Sequence, residues 1–267
     1  MAPEASGEGT AAVRDASAPE ARRGTGAART FRRVPLLWRA GVVLPLPVYL
    51  SMNLLVLGAS GGCGTWLCRL ASQRGHRVRA LVRPSTPFDP PEGVEVVRGE
   101  VLRDGVLDRA LDGCDAVLSA LGIKRTSPLN PWSALASPPD LTTRVAERLV
   151  EAMPANGVRR VVAISAGGVA DSRQDVHPLF RWLIEHSNMA ASYADLAGME
   201  SVLASSDLDW MAVRPTTLTP GGPTGRVHAV SQYGLLARIP RSDVATWMLD
   251  AVEAPGAFEE RTPMIAS

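Results

Sequence analysis

Three glycines set three apart, Gly58, Gly61 and Gly64, join an apolar run of strand length, Asn53 to Leu57, to a helical-looking stretch from Thr65 to Arg74. A strand-to-helix turn of this kind brings the backbone close to a diphosphate. Gly58 lets the chain turn, Gly61 removes a side chain where phosphate must approach, and Gly64 lets the helix pack tightly on the strand. Ser60, Gly62 and Cys63 complete the turn. The expected anion sits on the unbonded amides and the positive dipole end of the helix. A second strand, Arg77 to Val82, follows within one βαβ unit, which is the context that makes the glycine spacing a dinucleotide signal.

Such a turn needs a sheet to hold it. From Met52 onward strands and helices alternate regularly, which predicts an α/β fold with a doubly wound parallel sheet and helices on both faces. Strand one is Asn53 to Leu57, and helix one runs from about Gly62 to Arg74 with Gly75 closing it. Strand three is Val94 to Val97, a helix spans Gly105 to Leu111, and strand four leads from Asp115 to a turn at Gly122. The next helix carries Leu141, Val145, Leu149 and Met153 at helical spacing, with Asp140 expected to cap it. Arg83 ends strand two, where a dinucleotide's adenosine ribose is met. An arginine there suits a 2′-phosphate, so NADP(H) is favoured over NAD(H).

Over residues 52–267 the chain resembles the atypical and extended short-chain dehydrogenase/reductases, in particular NmrA-like NAD(P)H-binding proteins and the biliverdin/flavin reductase group. Three features carry the likeness: the GxxGxxG turn, the fifth strand Gly157 to Ser165, and the sixth strand Asp209 to Pro215 with its Arg214-Pro215 end. The resemblance implies a Rossmann-type sheet with a small C-terminal appendage on the substrate side. It places Glu100, at a position usually held by aspartate, and Val101 beside the adenine. Ala120, Leu121 and Gly122 then run along the cofactor toward the nicotinamide, with Ser165 and Pro215 near its far end. Ser165 is the leading catalytic candidate, donating a hydrogen bond to a substrate oxygen or placing the nicotinamide. The segment Ala237 to Asp243 is similar to one that opens a helix on the substrate side, with Ser242 or Asp243 as its cap.

The chain departs from the family at two points. Typical members pair the strand-five serine with Tyr-x-x-x-Lys, the lysine lowering the tyrosine pKa from one helical turn away. Here Tyr193 is followed at the fourth position by Ala197, so Tyr193 enters the candidate site as a substrate-wall or packing residue. Biliverdin/flavin reductases carry a histidine just after the strand-six proline, and here Thr216 and Thr217 follow Pro215. Both departures argue against a conventional alcohol dehydrogenase and against flavin or biliverdin as substrate.

The formal net charge of +1 offers no electrostatic footprint for nucleic acid. Lys124 is the only lysine and sits in a Pro-rich loop on the ligand side of the sheet. Cys63, Cys68 and Cys114 lack metal-ligand or CxxC spacing, and no metal site is expected. His177 and His186 fit no zinc or catalytic pattern and are expected at a pocket wall or the surface. Residues 1–51 form a leader expected to be disordered or dispensable. Its apolar stretch is cut by Arg39 and by Pro35, Pro45 and Pro47, so no integral membrane span is expected, a transit peptide or surface-lying segment being the alternative, and the expected location is cytoplasmic.

These features favour an NADPH-dependent oxidoreductase that passes hydride directly to a small-molecule substrate, with water or the substrate supplying the proton. A non-catalytic NADP(H) redox sensor acting on a regulatory protein partner is the competing reading. An epimerase or dehydratase that keeps its cofactor bound is the third. Nothing in the sequence specifies an oligomeric state.

Overall fold

The computed structural model describes residues 51–127 and 129–267. The leader expected over residues 1–51 lies outside them, Ser51 excepted. The strand β1 (Asn53–Leu57) is central. It pairs in parallel with β2 (Arg77–Val82) on one side and with β4 (Ala116–Ser119) on the other, Leu54 facing Val78 and Ala116. Residues 54 to 57 are all fully or almost fully buried. Strands covered on both faces have no polar alternation, which is why β1 reads as a continuous apolar run.

With β3 (Val94–Arg98), β5 (Arg160–Ile164), β6 (Asp209–Pro215), β8 (His228–Ala229) and β10 (Met264–Ala266), the sheet runs β3-β2-β1-β4-β5-β6-β10-β8. All pairings are parallel except β10 with β8. The order reverses between β1 and β4, which opens a crevice over their carboxyl ends. The strands β7 (Thr217–Thr219) and β9 (Arg238–Pro240) form a separate parallel pair, which together with β8 makes the C-terminal appendage.

Side chains alternate across β1 and feed two cores. Leu54 and Val56 pack with α1 (Gly62–Gln73) and α6 (Arg241–Glu253) through Leu67, Cys68, Val244, Met248 and Leu249. Leu55 and Leu57 pack with α2 (Val106–Leu111), α3 (Leu141–Ala155) and α5 (Met189–Ala204) through Leu107, Leu149, Met153, Met199 and Leu203. A smaller cluster, Val176, Ile184, Tyr233 and Met264, joins α4 (Pro178–Glu185) to the appendage.

Two expected caps are replaced by longer-range contacts. Asp140 precedes α3 but makes no side-chain cap bond. The carboxylate of Asp195, buried on α5, accepts the amides of Thr142 and Thr143 and the Thr142 hydroxyl at 2.7–2.9 Å. Ser242 and Asp243 lie inside the first turn of α6, after Pro240, and do not cap it. The Ser242 hydroxyl donates to the Gly221 carbonyl, and Asp243 accepts from the amide and hydroxyl of Thr224, so both fasten the 220–225 turn to the helix. No helix among the described residues is long and apolar enough to cross a membrane.

Candidate cofactor-binding site

Each glycine of the turn has a separate steric reason. Gly58 has φ +72°, and a Cβ there would meet the Ala120 carbonyl at 2.6 Å. At Gly64 a Cβ would collide with the Gly58 carbonyl and lie 2.7 Å from the Ala59 Cα, so this glycine lets α1 touch the strand end. A Cβ on Gly61 would meet only the Gly58 oxygen, at 3.1 Å, leaving open space on its other side. No side chain caps α1 and no acid stands in its first turn. The amides that a helix start leaves unbonded are therefore available to an anion.

A groove of about 210 Å³ runs from this turn across the switch point. Gly58, Ser60 and Gly61 line it at the glycine turn, and Arg83, Glu100 and Val101 line it beyond the ends of β2 and β3. Ala120, Leu121 and Gly122 continue it along the exit of β4. Gly62, Cys63 and Gly64 lie in the adjoining first turn of α1 and do not line the groove. Burial pushes the Cys63 thiol up to about 11, partly offset by Arg241, so it is a neutral space-filler at physiological pH.

A second arginine steadies the loop that carries Arg83. Arg98, opposite Val82 in the β2–β3 register, donates to the carbonyls of Arg83 and Thr86 and holds the loop after β2 in place. The exposed Arg83 side chain has no carboxylate partner among the described residues. The other wall of the groove comes from the loop between β4 and α3. There the Ala136 amide donates to the Lys124 carbonyl and the Lys124 amide to the Ser137 hydroxyl. The chain thus doubles back so that Lys124 and residues 136–138 face the groove.

Ser165 and Pro215 lie outside that groove. Ser165 is 4% exposed, and its hydroxyl donates to Glu200 Oε1 at 2.6 Å. Arg214 binds the same carboxylate through Nε at 3.0 Å and Nη2 at 2.7 Å, and reaches Asp171 at 2.7 Å. With its proton directed to an ion-paired carboxylate, Ser165 does not offer the free donor that the sequence reading expected. Pro215 ends β6, its carbonyl accepting the Gly167 amide.

Tyr193 lines a different cavity, of about 320 Å³, with Gly168, Val176, Ile184 and Ala197. Its hydroxyl donates weakly to the Gly167 carbonyl at 3.3 Å, and burial pushes the phenol above its ordinary range. A proton-transfer tyrosine needs the opposite shift. His177 caps α4 through the Leu179 amide, and His186 stacks on Trp182, both at the surface.

A family model described as NAD(P)H-binding matches residues 58–255, which takes in the glycine turn, the groove and α6. The chain belongs to the NAD(P)H-binding family. It is 32% identical over 200 residues to a 3-diazoavenalumate denitrifying reductase of a Streptomyces species, covering 71% of this chain and 64% of that protein. It is 28% identical over 196 residues to a 2-alkyl-3-oxoalkanoate reductase of Stenotrophomonas maltophilia, covering 70% and 57%. This NAD(P)H-binding chain therefore spans less than two thirds of the length of these curated relatives. Among solved structures, a short-chain dehydrogenase/reductase from Veillonella parvula in complex with NADP matches with a TM-score of 0.65 at 16% identity, covering 82% and 95%. The ChuY anaerobillin reductase of Escherichia coli matches with a TM-score of 0.61 at 22% identity, covering 80% and 96%. At these identities the structural likeness shows the Rossmann-type fold alone.

In this family member, sequence reasoning missed Arg98, Asp171, Asp195 and Glu200. Glu200 had a signal: an acid seven residues after Tyr193 on the same helix, with a single arginine, Arg214, inside the next strand. A charged residue inside an apolar strand requires a buried counter-charge.

Proposed function

We propose that the chain is an NADPH-dependent reductase that passes hydride to a small organic substrate without a Tyr-x-x-x-Lys pair. The observation that carries this reading is the groove itself: an open Gly61 face on an uncapped helix start at one end and an acid-free Arg83 at the other. NADPH would supply the hydride, and the protein's contribution is to hold the dinucleotide and exclude water. Gly58, Ser60 and Gly61 would hold the diphosphate, Arg83 the 2′-phosphate, Glu100 and Val101 the adenine, and Ala120 to Gly122 the path to the nicotinamide. Ser165, fixed by Glu200, acts as a positioning residue behind that end.

The relatives named as reductases of 3-diazoavenalumate and of 2-alkyl-3-oxoalkanoates support reduction as the reaction class. An electron-poor conjugated or carbonyl acceptor fits a site without a dedicated acid, since water or the substrate can deliver the proton after hydride transfer. The test is NADPH oxidation at 340 nm by the full chain, across quinones, enones and 3-oxo acids. Turnover of at least one class, lost in Gly61→Val, supports the reading. No oxidation with any class removes it.

One observation favours a second reading, a redox sensor: neither Ser165 nor Tyr193 opens onto the groove. A sensor must bind NADPH and NADP⁺ with different affinity. Equal affinities would exclude it.

A further inference from the structure

Gly62 has no conformational need to be glycine, because its φ is not in the left-handed region. What its missing side chain leaves room for is the Arg241 side chain. A Cβ at Gly62 would lie 2.5 Å from Cδ and 2.9 Å from Nε of Arg241, and its three nearest neighbours all belong to that side chain. Arg241 is the first residue of α6, 179 positions downstream, and its side chain lies across the first turn of α1. Its charge is felt at Cys63, the next residue of that turn.

This placement is electrostatically unfavourable without a ligand. A cation at a helix N-terminus opposes the macrodipole, and Arg241 stands at two, its own and that of α1. Among the described residues its guanidinium has no hydrogen-bonded or ion-paired carboxylate. The nearest acid in sequence, Asp243 in the first turn of α6, is committed to the amide and hydroxyl of Thr224. A half-buried arginine lying over the first turn of a helix that no side chain caps is the arrangement that an incoming diphosphate would neutralise.

We propose that Arg241 is a diphosphate-binding residue, reaching from α6 across Gly62 to close the phosphate end of the groove. The proposal rests on the groove being the dinucleotide site. It makes Gly62 and Arg241 a matched pair, the missing side chain of one leaving room for the stem of the other. It also separates two arginine roles along one ligand: Arg83 reads the 2′-phosphate, and Arg241 binds the diphosphate common to NADPH and NADH.

The test is titration of the full-length protein and its Arg241→Met and Arg83→Ala variants with NADPH, NADH and adenosine 2′-monophosphate. Methionine keeps apolar bulk over Gly62 while removing the charge, and circular dichroism checks that each variant is folded. The expected result is that Arg241→Met weakens NADPH and NADH by the same factor, about ten- to hundredfold for a lost charge-assisted hydrogen bond, and leaves adenosine 2′-monophosphate unchanged. Equal affinities of wild type and Arg241→Met for both dinucleotides would overturn the proposal, as would a loss confined to NADPH. Failure of the wild type to bind any dinucleotide would overturn the site itself, a separable outcome.

Discussion

The Ser165 hydroxyl and the Glu200 carboxylate are 2.6 Å apart inside the protein, and Arg214 binds the same carboxylate through two nitrogens. Ser165, one residue past β5, is thus tied into an ion pair linking β5, α5 and β6. Arg214 is 3% exposed, and its charge is compatible with the sheet because the buried Glu200 and, at the surface, Asp171 balance it. Glu200→Ala is expected to destabilise the protein by about 3–5 kcal/mol, the cost of stranding a buried charge. Ser165→Ala should cost less, about 1–3 kcal/mol for a hydrogen bond to a charged acceptor. Urea denaturation measures both, and a larger cost for Ser165→Ala would contradict this ordering.

Asp171 gives the same cluster an acid-sensitive edge. Its hydrogen bond from Arg214 holds its carboxyl below the usual aspartate range. A folded pKa below the unfolded one stabilises the fold above the unfolded value, and that contribution is lost as pH falls through the folded value. The effect therefore belongs below about pH 4, and its size is small because Asp171 is exposed and screened. Asp171→Asn should lower stability slightly at neutral pH, converge with the wild type at low pH, and so flatten the low-pH arm of the stability curve. Superimposable curves for the two proteins would contradict the assignment.

The thiols supply a check on the phosphate turn. Burial pushes Cys63 up to about 11 and Cys68 up to about 12, so both are protonated at pH 8. Native protein should leave these two unmodified by a thiol-exchange reagent over minutes, and denatured protein should expose all three cysteines. Fast labelling of Cys63 in the native state would show an open, thiolate-bearing turn.

At the adenosine end, Arg83→Ala should weaken NADPH by about tenfold or more while leaving NADH unchanged, since a charge-assisted contact to the 2′-phosphate exists only in the former. Parallel titrations read this directly. Equal losses for both nucleotides would mean that Arg83 acts on the loop rather than on the phosphate.

What the sequence disclosed and what it hid follow one division. The strands and the Gly58, Gly61 and Gly64 turn were legible because their causes are local: apolar runs, a positive φ, a spacing of three. That Arg83, Glu100, Val101 and residues 120–122 line one groove was legible because the βαβ order fixes where strand ends fall. Hidden were pairings across the fold. Asp195 caps α3 from 53 positions away, displacing Asp140. Ser165 meets Glu200 across 35 positions, and Arg241 explains Gly62 across 179. No periodicity encodes such contacts. They became visible only once parallel strands brought distant segments to one sheet edge.

On this account the Gly58–Gly64 turn and its groove bind a reduced nicotinamide dinucleotide. The most direct measurement is a fluorescence titration of the full chain with NADPH, set beside Gly61→Val, whose side chain would enter the open face where phosphate approaches. The expected result is saturable binding to the wild type and none to a folded Gly61→Val protein. Absence of binding to the wild type, or equal binding to both, would contradict the claim.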